Sequence, residues 1–473
     1  MPLLLHRAPR ADVLAEGLAG LLGTPLADPF AKELVLVPAR GVERWLSQRL
    51  SHRLGRETGR EDGVCAGVEF RSPGSLIAEV TGTRESDPWA PDAVVWQLLA
   101  VVDASAGEEW CRVLSEHLGH GRQGEEAELR QGRRYAVARR LARLFSSYAV
   151  QRPKLLADWE AGDDSDGTGG PLAPDLLWQS ELWRRVSVAV GEPTPARRHA
   201  AVVEGLRGGT ATVDLPQRLS LFGHTRIAAT EAELLAALGE ERDVHLWLPH
   251  PSDALWQALR GLTGALPRSA DTSHELVGHP LLASLGRDLR ELQRTLGTAE
   301  PLDSSRAPGA PSSTTADHLL GWLQQDIAAN GLSDAVSRMV DPADRTVQVH
   351  ACHGPARQVE VLREVLLGLL ADDATLEPRD ILVMCPDIEA YAPLVEAAFG
   401  MGNAVAGGHP GQLLQVRLAD RALTQTNPLL AVVGKLLDLA GGRAEATAVL
   451  DLLNAAPVRR RFGLGESDLE TIV

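Results

Sequence analysis

The feature that most constrains the fold is a repeated alternation of short apolar runs with amphipathic helical patterns. From Val349 the chain reads VHACHGPARQVEVLREVLLGLL and, after a short acidic loop, DILVMCPDIEAYAPLVEAAFG. Thr346 to Cys352 has the pattern of a strand, Gly354-Pro355 breaks it, and Val359, Leu362, Leu366 and Leu369 recur at helical spacing. Ile381 to Met384 followed by Ile388 to Phe399 repeats the unit. The N-terminus has the same grammar: strands at Pro2 to His6 and Glu33 to Val37, helices at Asp12 to Leu22 and Val42 to Leu54. Strands at Arg218 to Phe222 and Val244 to Leu248 flank a helix at Thr230 to Leu238. Parallel strands need crossover connections, so successive β-α units predict an α/β fold with a parallel sheet.

Between residues 87 and 206 the pattern is almost wholly helical. In the helix from Arg133 to Tyr148 the core stripe is Val137, Leu141, Leu144, Phe145 and Tyr148, and Arg133, Arg134, Arg139, Arg140 and Arg143 decorate the rest. The plainer reading of these arginines is a solvated face paired with carboxylates; the functional one is a phosphate-tracking surface. Ala161 to Gly170, AGDDSDGTGG, reads as a flexible surface insertion, and Pro301 to Thr315 as a Pro/Ser-rich linker. Asp468, Leu469, Ile472 and Val473 look like the opening of an amphipathic helix, so the chain is expected to be the N-terminal part of a longer protein.

With 473 residues, 44% of them hydrophobic, the chain has material for about three domains with real cores. The N-terminus MPLLLHRAPRADV places charges directly after a short apolar run, and no long uncharged apolar stretch occurs, so a cytoplasmic address is expected. Cys65, Cys111, Cys352 and Cys385 are scattered, without a C-x-x-C pair, which argues against a disulfide framework and a structural zinc site. A net charge of −16 counts against a nucleic-acid binder unless cations are locally clustered. Lysine occurs only at Lys32, Lys154 and Lys435, so nearly all positive charge is arginine; a GC-rich coding sequence explains that bias as readily as phosphate recognition does.

Several constellations invite chemistry and fail on spacing. An ATP-driven motor needs a GxxxxGK[ST] loop after its first strand, because backbone amides and a lysine must cradle phosphates. Here that loop is HRAPRAD, and Gly434-Lys435 precedes leucine in a helical pattern. The metal-binding strand of a motor ends in an acidic pair, whereas this one ends Leu221-Phe222-Gly223-His224-Thr225. Gly119 to Gly124, GHGRQG, satisfies GxGxxG but follows a helical segment rather than a strand, and is read as a loop. His350, Cys352 and His353 alternate along a predicted strand and cannot converge on one ion, and no activated Ser or Cys nucleophile is visible. The expectation is a nucleotide-binding architecture without its phosphate clamp.

The sequence resembles the RecC family, the gamma subunits of exodeoxyribonuclease V, the bacterial RecBCD helicase-nuclease. The matching blocks are DPFAKELVLVPARGVERWLSQRLSHRLG (Asp28 to Gly55), VEFRSPGSLI (Val68 to Ile77), ARLFSSYAVQRPKLLADWEAG (Ala142 to Gly162), LSLFGHTRI (Leu219 to Ile227), HPLLASLGRDLREL (His279 to Leu292) and the stretch from Val349 through Gly400. Several blocks in the right order make the resemblance specific. It implies superfamily 1 helicase-like domains that have lost ATPase function. Domain 1A would comprise residues 1–84 and 207–300, interrupted by a helical 1B-like insertion at 85–206; a linker at 301–315 would lead to the start of domain 2A at 316–473. It also implies a non-catalytic subunit without ATPase or nuclease activity of its own, ATP and Mg²⁺ being used by RecB-like and RecD-like partners. Such a subunit helps split duplex ends, guides the 3′-ended strand and scans it for a Chi sequence during double-strand break repair. Residue by residue, the strand-channel positions fall at Pro38, Arg40, Arg44, Ser72, Ala78, Arg143, Leu144, Arg152 and Arg198. Leu144, Arg152 and Arg198 look similar to the family's residue types; the other six depart from the best-studied pattern, with arginine at several places, which puts reading of the same octamer in doubt. Two other readings stay open: a helicase-nuclease subunit of the AddB kind, and a protein-interaction scaffold that never touches DNA.

Overall fold

The computed structural model describes residues 3–28, 30–55, 63–264, 266, 268–299, 301–303, 317–333, 338–400, 409–418, 427–442 and 444–465. Residues 1–347 and 348–473 form two compact units. The first is built on a six-stranded sheet in the order β3-β2-β4-β5-β1-β6, with every paired neighbour parallel.

In chain order, β1 (Leu3–Ala8) leads to α1 (Ala11–Leu22), β2 (Glu33–Leu36) to α2 (Arg40–Ser51), and β3 (Val68–Arg71) to α3 (Pro73–Val80). Seven helices then interrupt the sheet: α4 (Pro91–Ala104), α5 (Arg112–His117), α6 (Glu125–Gln131), α7 (Arg134–Gln151), α8 (Pro153–Glu160), α9 (Leu177–Val190) and α10 (Pro195–Arg207). The sheet resumes with β4 (Arg218–Phe222), α11 (Ala229–Leu238), β5 (Asp243–Pro249), α12 (Asp253–Ala258), α13 (Pro280–Leu285), α14 (Arg287–Leu296), the short β6 (Leu302–Asp303) and α15 (Leu319–Ala329).

Both faces of this sheet are covered, which is why its strands are apolar almost throughout. Successive side chains point to opposite faces, so Leu34, Leu36, Leu219, Leu221, Val244 and Leu246 join α3, α10, α11 and α14 in one core. Val35, Val37, Phe222 and Trp247 join α1 and α2 in the other. The second face carries polar atoms too: His6 Nε2 lies 3.0 Å from His245 Nδ1, and the His6 ring stacks 3.9 Å from that of Trp247. Burial pushes the His6 pKa down and that of His245 to about 4.

The helical segment has a core of its own, centred on Trp89, Leu98, Leu141, Phe145, Trp159 and Trp183. In α7 the buried positions are Ala138, Leu141, Ala142, Phe145 and Ala149, while Val137, Leu144 and Tyr148 are half-buried, so the expected stripe is rotated toward its small residues. Close approach of α4 selects alanine at the contact. The segment 161–170 corrects the expectation of a flexible insertion. Trp159 Nε1 donates to Ser165 O at 3.0 Å, the Ser180 hydroxyl donates to Asp164 at 2.6 Å, and Asp166 Oδ1 accepts from the amides of Thr168 and Gly170. Polar composition here reflects a closed network of internal hydrogen bonds rather than solvation.

In the second unit α16 (Gly354–Asp372) and α17 (Ile388–Ala398) form where helical periodicity places them, packed through Val359, Ala398 and Phe399. Among the described residues three more helices follow, α18 (Pro428–Gly441), α19 (Ala446–Leu453) and α20 (Ala456–Phe462). The strands expected at Thr346 to Cys352 and Ile381 to Met384 do not form. A strand is defined by its ladder partner, and neither stretch has one among the described residues; Val349 stays 93% exposed and Met384 86%. Residues 304–315 of the expected linker and the expected helix opening at Asp468 lie outside the described residues.

Candidate nucleic-acid interface

A parallel sheet delivers the carboxyl ends of all its strands to one edge, where loops and helix N-termini make sites. At this edge the β1–α1 connection is only Pro9 and Arg10. Pro9 has no amide hydrogen and Arg10 Nε is bonded to Asp12 at 3.0 Å, so the glycine-rich loop and lysine of a GxxxxGK[ST] cradle have no counterpart in this connection. β4 is followed by Gly223 and His224, not by carboxylates. His224 is buried and its pKa is pushed down by that burial to about 4, so a neutral ring occupies this position at physiological pH. Among the described residues no group of three or more His, Cys, Asp or Glu side chains is placed to hold a metal ion.

The nine positions expected to line a strand channel fall into two groups. Pro38, Arg40 and Arg44 follow β2 at the sheet's carboxyl edge, all exposed, with Arg40 and Arg44 separated by one turn of α2. The Val37 amide donates to Arg71 O at 2.9 Å, which sets Ser72 at the end of the neighbouring strand. Ser72 also shapes the backbone locally, since its hydroxyl accepts from the Ser75 amide at 3.3 Å and caps α3, with Pro73 opening the helix.

The second group surrounds a cleft of about 310 Å³ whose lining includes Ile77, Trp89, Phe145, Ser146, Arg198 and Thr230. Ala78 is half-buried on α3, next to the lining residue Ile77. Arg143 is exposed, and Leu144 is packed against the helical core on α7. Arg152, exposed, sits at the break between α7 and α8, where its amide still donates to Tyr148 O at 2.7 Å and Pro153 starts the next helix. Arg198 lines the cleft with Nη2 bonded to Asp87 at 2.8 Å, while its buried Nε has no partner among the described residues.

The arginines divide sharply by partner. Arg71, Arg184, Arg185, Arg218 and Arg294 all pair with carboxylates. On α7 only Arg134 does so among the described residues, with Asp103 at 3.1 Å. Arg133, Arg139, Arg140 and Arg143 are exposed without a carboxylate partner among the described residues, and so are Arg40, Arg44 and Arg152. Arg134 thus fits the plainer reading of paired surface charges, the others are solvated without a carboxylate partner among the described residues, and Glu43 does not engage its neighbour Arg44. β3, absent from the strands expected above, is what joins the β2 group to α3; the signal that could have found it is the short alternation Val68-Glu69-Phe70-Arg71 ahead of Ser72-Pro73.

Fold and site together define a two-faced parallel α/β protein with a helical insertion, no phosphate loop at its first strand, and arginines beside a cleft that have no carboxylate partner among the described residues. Residues 3–330 match the family model described as the RecC N-terminal domain, and residues 426–473 match that of the fourth domain of the RecBCD enzyme subunit RecC. The chain belongs to the RecC family. It is 60% identical to the RecC subunit of Mycolicibacterium smegmatis over 481 aligned residues, covering all of this chain and 42% of that protein. Identity is also 60% to the RecC subunit of Mycobacterium tuberculosis, and 28% to that of Escherichia coli over 94% of this chain and 41% of that protein. The chain thus spans less than half the length of these relatives. No helix among the described residues is long and apolar enough to cross a membrane.

Proposed function

We propose that this chain is the DNA-handling, non-catalytic part of a RecBCD-type helicase-nuclease, working with RecB-like and RecD-like partners in double-strand break repair. The observation that carries the reading is the set of exposed arginines without carboxylate partners among the described residues, Arg40, Arg44, Arg139, Arg140, Arg143 and Arg152, in a chain whose net charge is −16. In so acidic a protein carboxylates are plentiful, so cations that pair with none of them fit a polyanion that completes the set. In this reading the sheet is an inactivated superfamily 1 helicase-like domain, divided by its helical insertion, and the partners supply ATP hydrolysis and nuclease chemistry. The 3′-ended strand passes the carboxyl edge at Arg40 and Arg44 and the cleft beside Arg143, Arg152 and Arg198. With arginine at several channel positions, gripping of phosphate dominates, and any sequence scanning reads a signal other than the best-studied octamer.

The test is photo-cross-linking of a 3′-tailed duplex to the full-length protein assembled with its two partners. Adducts between residues 40 and 44 and between 142 and 152 are expected; adducts confined to the partners would make this region a scaffold. Titration calorimetry with ATP analogues checks the motor separately, and micromolar binding would sink the inactivated-motor reading.

A further inference from the structure

The structure exposes an aromatic pair that none of the nine channel positions includes. Trp96 on α4 and Tyr135 on α7 have ring centroids 5.4 Å apart, and they remain 59% and 43% exposed. Large aromatic side chains are usually buried for their area, so two that share a face and stay open to solvent mark a surface able to receive another flat group. Tyr135, Arg139 and Arg143 follow one another at intervals of four along α7, and four-residue neighbours lie on one face. Ser146 and Val150 continue that flank into the cleft lining. A single helical edge therefore runs from the aromatic pair past two arginines without a carboxylate partner among the described residues to the cleft, roughly 16 Å from residue 135 to residue 146 at 1.5 Å per residue. Of the carboxylates on the same side of α4, Asp103 is neutralised by Arg134 and Asp92 stands one turn from Trp96, leaving a net positive edge.

We infer that Trp96 and Tyr135 form a base-stacking platform for single-stranded nucleic acid, which extends the strand path beyond the cleft with Arg139 and Arg143 holding the intervening phosphates. The inference rests on the DNA-handling reading above and adds a site to it. Aromatic faces tolerate any base and arginines follow the backbone, the combination by which single strands are held without sequence preference.

Fluorescence anisotropy with the full-length protein assembled with its two partners compares two labelled strands of equal length, oligo-dT and the same backbone with abasic sites. The double variant Trp96→Ala plus Tyr135→Ala is expected to bind oligo-dT at least about fivefold more weakly, the lower end of one stacking contact. Its affinity for the abasic strand and its salt slope stay unchanged, and Trp96→Phe retains most of the binding. Arg139→Ala plus Arg143→Ala weakens both strands and flattens the salt dependence. Equal loss on both strands, or unchanged oligo-dT binding in the aromatic double variant, overturns the platform while leaving DNA handling intact. If the unaltered assembly binds neither strand, both readings fall. Should the double variant not fold, irradiation of the unaltered chain with a 5-iodouracil strand reads the same contact: adducts on Trp96 or Tyr135 support it, and adducts only elsewhere reject it.

Discussion

Single residues decide how the carboxyl edge works. Arg40 and Arg44 lie one helical turn apart on an exposed flank, with no carboxylate among the described residues to hold them. Replacing both with alanine should make the logarithmic salt slope for single-stranded DNA shallower by about 1.4, since each phosphate contact contributes about 0.7; an unchanged slope removes them from the site. Ser72 is one of the positions proposed for the channel, yet its hydroxyl caps α3. Ser72→Ala should therefore cost about 1 kcal/mol in urea denaturation, whatever it does to DNA. The buried histidines set a pH response. Burial lowers the pKa of His224, His245 and His250 to about 4 from an unfolded value of 6.5. Above pH 6.5 these rings are neutral in both states and cost nothing. As the pH falls from 6.5 toward 4 the unfolded chain takes up protons that the folded one refuses, so stability is lost by up to about 1.4 kcal/mol per pH unit for each ring. Thermal unfolding midpoints should fall across that window, ahead of the carboxylate range, and a flat profile between about pH 6.5 and 5 would contradict the burial.

At the scale of elements, α7 carries the most argument. One flank is buried through alanines against α4, another presents arginines, and its C-terminal turns line the cleft. The helix and its charged face were legible from periodicity alone. Which residues are innermost was not: packing in the helical core buries Ala138 and Ala142 more deeply than Val137 and Leu144. The loop after α8 shows the same limit more strongly. Its glycines and aspartates read as solvated, but Gly167 takes φ +76°, and a Cβ there would lie 2.9 Å from that of Leu155. Gly167→Ala should destabilise the protein by about 1–3 kcal/mol through backbone strain plus the clash. Gly121→Ala, with φ +78° but open space around it, should cost only the strain. Comparing urea midpoints of the two variants separates packing from conformation.

For the whole molecule the contrast lies between the two units. β1, β4 and β5 are paired on both sides and buried on both faces, so their amides should exchange hydrogen only through global unfolding. Residues 347–352 and 381–385 carry strand-like sequence without ladder partners among the described residues and should exchange within seconds in this chain. Protection there, measured by hydrogen exchange, would show that partners exist. Local composition and periods of two and 3.6 residues were enough for the α/β class, the positions of β1, β2, β4 and β5, and the helical segment. The missing GK[ST] and the missing acidic pair after β4 were equally plain, because each is a matter of residue type at a known place along the chain. The strand order, the role of β3, the closed loop at 161–170, and the grouping of α3, α7 and α10 around one cleft came only with the tertiary structure. So did the division of arginines into paired and unpaired, because a cation's partner is set by which distant carboxylate the fold brings within reach. Asp87 reaches Arg198 across more than a hundred residues of chain, whereas Glu43 makes no ion pair with its neighbour Arg44.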